Sequence, residues 1–352
     1  MSYSFLLEMA WKSALIAGAA LLLVALLRSR SAADRGAVLR VGLAFLLLLP
    51  VVALAFPALV VETAAPAQAA AAPAMAPADW SAAELASPET MVTLGTAASS
   101  PGGDWSDPSL LFFLLYLGGV AMVGGRLVAG LLTLRRWTAE AEEVISPEWL
   151  GALERAGAGD RDIRLLVSHE IDSPLSWGLL RPVILLDPDA LDRPEDADAI
   201  LAHETAHVLR RDWPALVASR IGVALFWFNP LVWLLDREIA QQAEEAADSH
   251  AVERVAPARY AQTLLDWARQ SGTVALPANA IAARQPGLAR RVRAIVEGRI
   301  GRRSGSFWTF AAMALCVGIA APVAALEFVE QAPEAPEPPE APEAPPAPPA
   351  PA

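Results

Sequence analysis

Residues Asp196–Asp212 read DADAILAHETAHVLRRD. Pro194 ahead of this stretch, the good helix formers within it and Trp213-Pro214 behind it predict a single helix with one apolar face. On that helix His203-Glu204-Thr205-Ala206-His207 forms an H-E-x-x-H pattern, setting two imidazoles one turn apart where both can reach one ion. Zinc in hydrolases takes three protein ligands and leaves a position for water, whose pKa falls toward ~7, so that a nearby carboxylate can complete the deprotonation. Glu204 stands in that place. The bland reading is a solvated helix face with two histidines, but the chain has only four histidines in all, which weighs against coincidence.

A third ligand is required, and Asn229-Pro230 signals the start of another helix running to about Val255, because Asn caps and Pro suits the first turn. That helix offers Glu244, Glu245 and Asp248. Glu244 and Asp248 lie one turn apart, so the first can bind a metal while the second accepts a hydrogen bond from a ligand imidazole, and Glu245 points elsewhere. Taken alone the acidic run would read as a solvated face.

Outward from these helices the chain becomes too apolar for an ordinary soluble protein, with 55% hydrophobic residues and a mean hydropathy of +0.38. Runs at Phe5–Leu27, Ala37–Val60, Ser109–Leu134 and Phe307–Leu326 match the ~20 residues needed to cross a bilayer, which predicts four spans. Arg28, Arg30, Arg35 and Arg40 lie between or beside the first two, Arg135 and Arg136 follow the third, and Arg299, Arg302 and Arg303 precede the fourth. Loops rich in Arg stay in the cytoplasm, so the block between spans three and four is expected inside and both termini outside. The expected organisation is a transmembrane hairpin over 1–61, an external disordered Ala, Pro and acidic loop over 62–108, a third span over 109–134, a cytoplasmic domain over 135–306, a fourth span over 307–326 and an external Pro/Ala/Glu-rich tail over 327–352. Within the cytoplasmic block Arg164–Val167 and Pro182–Leu186 read as strands, making the block mixed α and β. The apolar segment 215–228 is shorter than a span and is read as a buried core helix, with a dip into the bilayer as its alternative.

A net charge of -12 argues against nucleic acid as a partner, and the single cysteine, Cys316, excludes an intrachain disulfide or a cysteine metal site. The first ten residues lack a basic stretch, so no cleaved signal peptide is expected. His169 could stabilise an oxyanion but reads more simply as a surface histidine, and His250 lies off the Glu244 face by about 120 degrees. Arg126 in the third span is expected to reach the headgroups, and Trp213, Trp233 and Phe226-Trp227-Phe228 to anchor at the membrane surface.

The H-E-x-x-H pattern, then Asn229-Pro230-Leu231-Val232-Trp233, then Glu244 and Asp248 in that order, resembles the integral-membrane metallopeptidases of the beta-lactam sensor family (BlaR/MecR type). Ser173–Pro182, reading SPLSWGLLRP, resembles that family's segment ahead of the catalytic helix, and the likeness spans about residues 1–326. It implies an α-helical protein of the bacterial cytoplasmic membrane carrying an α+β gluzincin-like zinc protease domain. It also implies one zinc per chain on His203, His207 and Glu244, Glu204 as general base and Asp248 behind the ligands. Ala247 departs from the cysteine the family often has there, without touching the ligands. The sensors' acylated serine is followed three residues later by lysine, whereas Lys12 is the sole lysine here and about 26 residues follow Leu326, so sensing by acylation is not expected.

The expected function is a zinc endopeptidase cleaving a regulatory protein, or itself, in transmembrane signalling. Its partners are a protein or peptide substrate and the lipid bilayer, with homodimerisation open. Two alternatives stand beside it: a signalling scaffold with a structural zinc, and a housekeeping protease of the prenyl-protein or heat-shock type. Glu204 argues against the first, since structural sites are closed by four ligands. The Asn-Pro-Leu-Val-Trp segment and the short gap from His207 to Glu244 argue against the second.

Overall fold

The computed structural model describes residues 3–55, 59–63, 108–159, 161–270, 287–298 and 306–330. The expected disordered loop beyond Thr63 and the tail beyond Glu330 lie outside these residues. The chain divides into two units, residues 1–57 with 104–325, and residues 58–103 with 326–352. In the smaller unit β1 (Leu59–Thr63) pairs in parallel with β6 (Leu326–Glu330), Leu59 opposite Leu326 and Thr63 opposite Glu330. Sequence reading placed no strands there.

The larger unit begins with α1 (Tyr3–Leu26) and α2 (Ala32–Ala55), followed by α3 (Pro108–Glu140). Among the described residues these three are long and apolar enough to cross a membrane, and α11 (Ser306–Ala325) adds a shorter apolar stretch, Phe310–Ala320. α1, α2 and α11 pack on one another through side chains such as Ile16, Leu39, Leu46 and Cys316. A Cβ on Gly42 would lie 2.6 Å from that of Ala20, so glycine is what lets α1 and α2 approach this closely. Lys12, buried in α1, forms an ion pair with Glu8 one turn away, which satisfies both charges within the bundle.

Two further helices join this bundle. α7 (Asp212–Leu225) packs against α2 and α3, and Val223 with the following Phe226 enters the same core. Segment 215–228 is therefore helical as far as Leu225 and ends in a turn, packed beside the helices of spanning length. α8 (Pro230–Val252) is capped by Asn229, whose side chain accepts from the Leu231 N–H at 3.0 Å and donates to Ser13 Oγ at 2.9 Å, tying the helix start to α1.

The rest is built on a four-stranded sheet in the order β2-β3-β5-β4, from β2 (Glu142–Glu143), β3 (Arg164–Val167), β4 (Leu175–Trp177) and β5 (Val183–Leu186). β3 and β5 are parallel, and both outer pairings are antiparallel. β5 is buried along its whole length, and its alternation serves two cores. Ile184 and Leu186 face α4 (Pro147–Arg155), α6 (Ala197–Arg210) and α9 (Pro257–Gln270), where Trp149, Ile200 and Leu264 complete a core. Val183 and Leu185 face Leu134 and Trp137 at the end of α3. At 33 residues α3 measures about 50 Å by its 1.5 Å rise, more than the ~30 Å hydrocarbon layer, so its last turns can serve as a wall of the sheet. A short helix, α5 (Pro188–Leu191), links the sheet to α6, and α10 (Leu288–Val296) packs on α9 and α8.

Candidate metal centre

α6 and α8 lie against each other, and their contact brings His203, His207 and Glu244 together. His203 Nε2 is 3.3 Å from His207 Nε2, while Glu244 sets Oε2 3.6 Å from His203 Nε2 and Oε1 3.7 Å from His207 Nε2. A tetrahedral ion with bonds of about 2.0–2.1 Å would hold its donors roughly 3.3 Å apart, so this donor set fits a single small divalent metal. Both imidazoles turn Nε2 inward and Nδ1 outward. Glu204, buried on the same helix, lines the cavity these groups face.

The outward nitrogens are each held. His207 Nδ1 donates to Asp212 Oδ2 at 2.9 Å, and Asp212, 1% exposed, also binds Arg210 at 3.2 Å and pairs closely with Arg40. Arg211, at the junction of α6 and α7, takes φ +55, a left-handed conformation costing a non-glycine residue about 1 kcal/mol, and the bend turns Asp212 back toward His207. His203 Nδ1 lies 2.8 Å from Tyr260 Oη, which in turn donates to Asp248 Oδ1 at 2.6 Å. Asp248 itself is 3.4 Å from His203, so it acts on that ring chiefly through the tyrosine.

Arg291 closes the arrangement from α10. Its guanidinium is 2% exposed, grips Asp248 at 2.7 and 2.8 Å in a fork, and places Nη1 2.9 Å from Glu244 Oε2. Burial opposes ionisation of Glu244, but Arg291 and the two histidines outweigh it and hold its carboxyl down to about 2. Asp248 is likewise held well below the usual carboxylate range, against burial, by Arg291 and His203. Burial disfavours a charged His203, yet the carboxylates of Asp248 and Glu244 beside it prevail and push it up to about 9. Removing Arg291 would leave the buried Asp248 without its cation, and Glu244 beside it, at a cost of roughly 3–5 kcal/mol by analogy with broken buried pairs.

The cavity above these groups measures about 120 Å³. Ser173–Trp177 forms one wall, and Leu134, Trp213 and Leu216 another. A neighbouring cavity of about 220 Å³ shares Ser176, Trp177, His207 and Trp213. Trp177 and Trp213 stand 6.0 Å apart, and Trp177 Nε1 donates to Thr138 Oγ1 at 2.9 Å, which fixes its ring. Of the other residues singled out in the sequence, His169 and Arg126 are exposed, and neither His169 nor His250 lines these cavities. Glu245 faces Arg35 at 2.8 Å and Arg290 at 3.1 Å, turned from the histidines.

A comparison with known families matches residues 8–295 to the description "BlaR1 peptidase M56". The chain belongs to the M56 peptidase family. A relative from Bacillus licheniformis, Regulatory protein BlaR1, is 33% identical over 79 residues, which cover 22% of this chain and 13% of that protein. M56 peptidases are metallopeptidases, and the triad of His203, His207 and Glu244 supplies a place for their metal. The apolar helices agree with a membrane-associated member of the M56 family.

Tyr260, Arg291 and Asp212 were not singled out in the sequence, and Arg40 was read there only for orientation. Each comes from a different helix, and no spacing rule joins it to the H-E-x-x-H pattern.

Proposed function

We propose that this M56 peptidase is a membrane-embedded zinc endopeptidase that cleaves a regulatory protein, or itself, in transmembrane signalling. The observation that carries the reading is the donor triangle of 3.3 to 3.7 Å beside Glu204 in an open cavity, because three ligands plus an unengaged carboxylate suit hydrolysis rather than a structural site. His203, His207 and Glu244 would hold zinc, one ion per chain, in a gluzincin-like domain. Zinc bound there would supply Lewis acidity, acidifying a water and polarising a peptide carbonyl. Glu204 takes the proton from the attacking water at its carboxylate and returns it to the leaving amine. Asp212 and the Tyr260–Asp248 pair fix the two imidazole orientations, each by holding Nδ1.

Substrate binding follows from the sheet. β4 pairs with β5 on one side only among the described strands and lines the cavity with its own residues. An extended peptide can add to its free edge, with side chains in the two cavities that Trp177 lines, and pairing along a strand edge suits cleavage within a chain. The test is N-terminal peptide profiling of cells expressing the wild type or Glu204→Gln. New N-termini found only with the wild type would name the substrate, and identical profiles would count against proteolysis and favour a non-proteolytic scaffold.

The orientation proposed has four spans in the cytoplasmic (inner) membrane, the peptidase domain inside and both termini outside. Arginine placement supports it. So does the parallel pairing of β1 and β6, since each strand follows closely on a spanning segment and both segments must then end on one side. Reporters fused after Arg30 or at Gly157 should read cytoplasmic, and fusions at Ala97 or after Ala352 external. An external signal at Gly157 would overturn the arrangement.

A further inference from the structure

The metal centre is tied to α2, one of the helices of spanning length, by charge-assisted contacts. Arg40 Nη2 pairs with Asp212 Oδ1, and Arg40 Nη1 donates to the Arg210 carbonyl at 3.3 Å, at the last turn of the helix that carries both histidines. The other oxygen of Asp212 accepts from His207 Nδ1 at 2.9 Å. A second arginine of α2, Arg35, binds Glu245 at 2.8 Å, one residue from Glu244 on α8. One helix therefore grips both helices that carry the triad. The three donors themselves sit on α6 and α8, so nothing in metal binding by itself requires a residue of α2 at this point.

We propose that Arg40 is a positioning residue for the metal centre, acting through Asp212 to hold the His207 imidazole and thereby linking the seating of α2 to the hold on the metal. This rests on the zinc reading above. The physical reason is the burial of Asp212, which is 1% exposed and shares its two oxygens between one imidazole and two arginines. With Arg40 in place Oδ1 is committed to its guanidinium, and Oδ2 is turned to His207 and Arg210 together. Without it Arg210 is the one arginine left on the carboxylate, and the side chain is free to rotate so that Oδ1 takes up Arg210 and Oδ2 leaves the ring. Partners behind a ligand histidine typically alter metal affinity 10- to 100-fold when lost, and Arg40 stands one step further out, so an effect near the lower end follows. Arginine is suited to the place because its fork reaches Asp212 and the Arg210 carbonyl together, which an ammonium group does less well.

The test is zinc affinity of the full chain in detergent micelles, measured by competition with a chromophoric chelator, as a cycle of Arg40→Ala, Asp212→Asn and the double variant. Arg40→Ala should weaken zinc binding about tenfold, and in the Asp212→Asn background the same change should shift it less than about twofold. Arg40→Lys should recover part of the loss. Should Arg40→Ala fail to fold by circular dichroism, the cycle is run with Arg40→Lys, whose smaller loss must likewise vanish in the Asp212→Asn background. Unchanged affinity in a folded Arg40 variant, or equal losses in both backgrounds, overturns the inference while leaving the zinc site intact. A wild-type chain that takes up no zinc overturns the zinc reading and this inference together.

Discussion

Glu204→Gln should lower turnover of a cleaved peptide by ~100-fold or more while zinc content and thermal stability stay at wild-type levels. The amide keeps the size and hydrogen-bonding reach of the carboxylate, so the buried position on α6 loses no packing and gains no cavity. What it loses is a base able to accept a proton from water and pass it to the departing amine, and both halves of the reaction need that transfer. Because Glu204 stands outside the donor triangle of His203, His207 and Glu244, the metal should not notice the change. Full proteolysis by the purified Glu204→Gln chain would move the general base to another residue. Normal signalling in cells by a variant that cleaves nothing would instead favour the scaffold.

The second large effect concerns the metal. His203→Ala, His207→Ala and Glu244→Ala should each weaken zinc binding at least ~100-fold, since one of four donors carries about a quarter of the roughly 10–16 kcal/mol found for closed zinc sites. Glu245→Ala should retain the ion, because its carboxylate is turned toward Arg35 and Arg290. Equal loss from Glu245→Ala, read by metal analysis after dialysis, would transfer the third ligand to that residue. A pH signature accompanies the binding. In the metal-free site Asp248 and Glu244 hold a proton on His203 up to about pH 9, and the ring must give it up to become a ligand. Metal uptake therefore releases a proton, and apparent affinity should fall about tenfold for each pH unit below 9. Affinity independent of pH between 7 and 9 would show that His203 is already neutral.

The structure also explains why some of the site was legible beforehand and some was not. His203, Glu204 and His207 could be read because helical periodicity alone converts a spacing of four into a shared face. Glu244 could be narrowed down because Asn229-Pro230 announces its helix and because Asp248 one turn on can stand behind a ligand, which sets Glu244 apart from Glu245. Arg291 gave no signal of its own, being one arginine in an arginine-rich chain. It matters only because α10 carries it back to α8. Tyr260 lay on an amphipathic helix where an aromatic residue reads as core, and its hydroxyl acquires meaning only against His203 and Asp248.

The fold shows the same division. Sequence by itself determined the apolar helices, the two central strands β3 and β5 and the helix bearing the two histidines, because hydrophobic period, run length and turn residues act within a few residues of one another, whereas the short edge strands β2 and β4 gave no such run. Only the tertiary structure decided that the end of α3 walls the sheet, that β1 and β6 pair across most of the chain, and that Arg40 of α2 reaches Asp212. These contacts join residues from about 50 to more than 250 positions apart, and no local periodicity encodes such a meeting. They form because a buried carboxylate must find a cation and an apolar face must find a cover, and which partner meets that need is settled by how the helices pack.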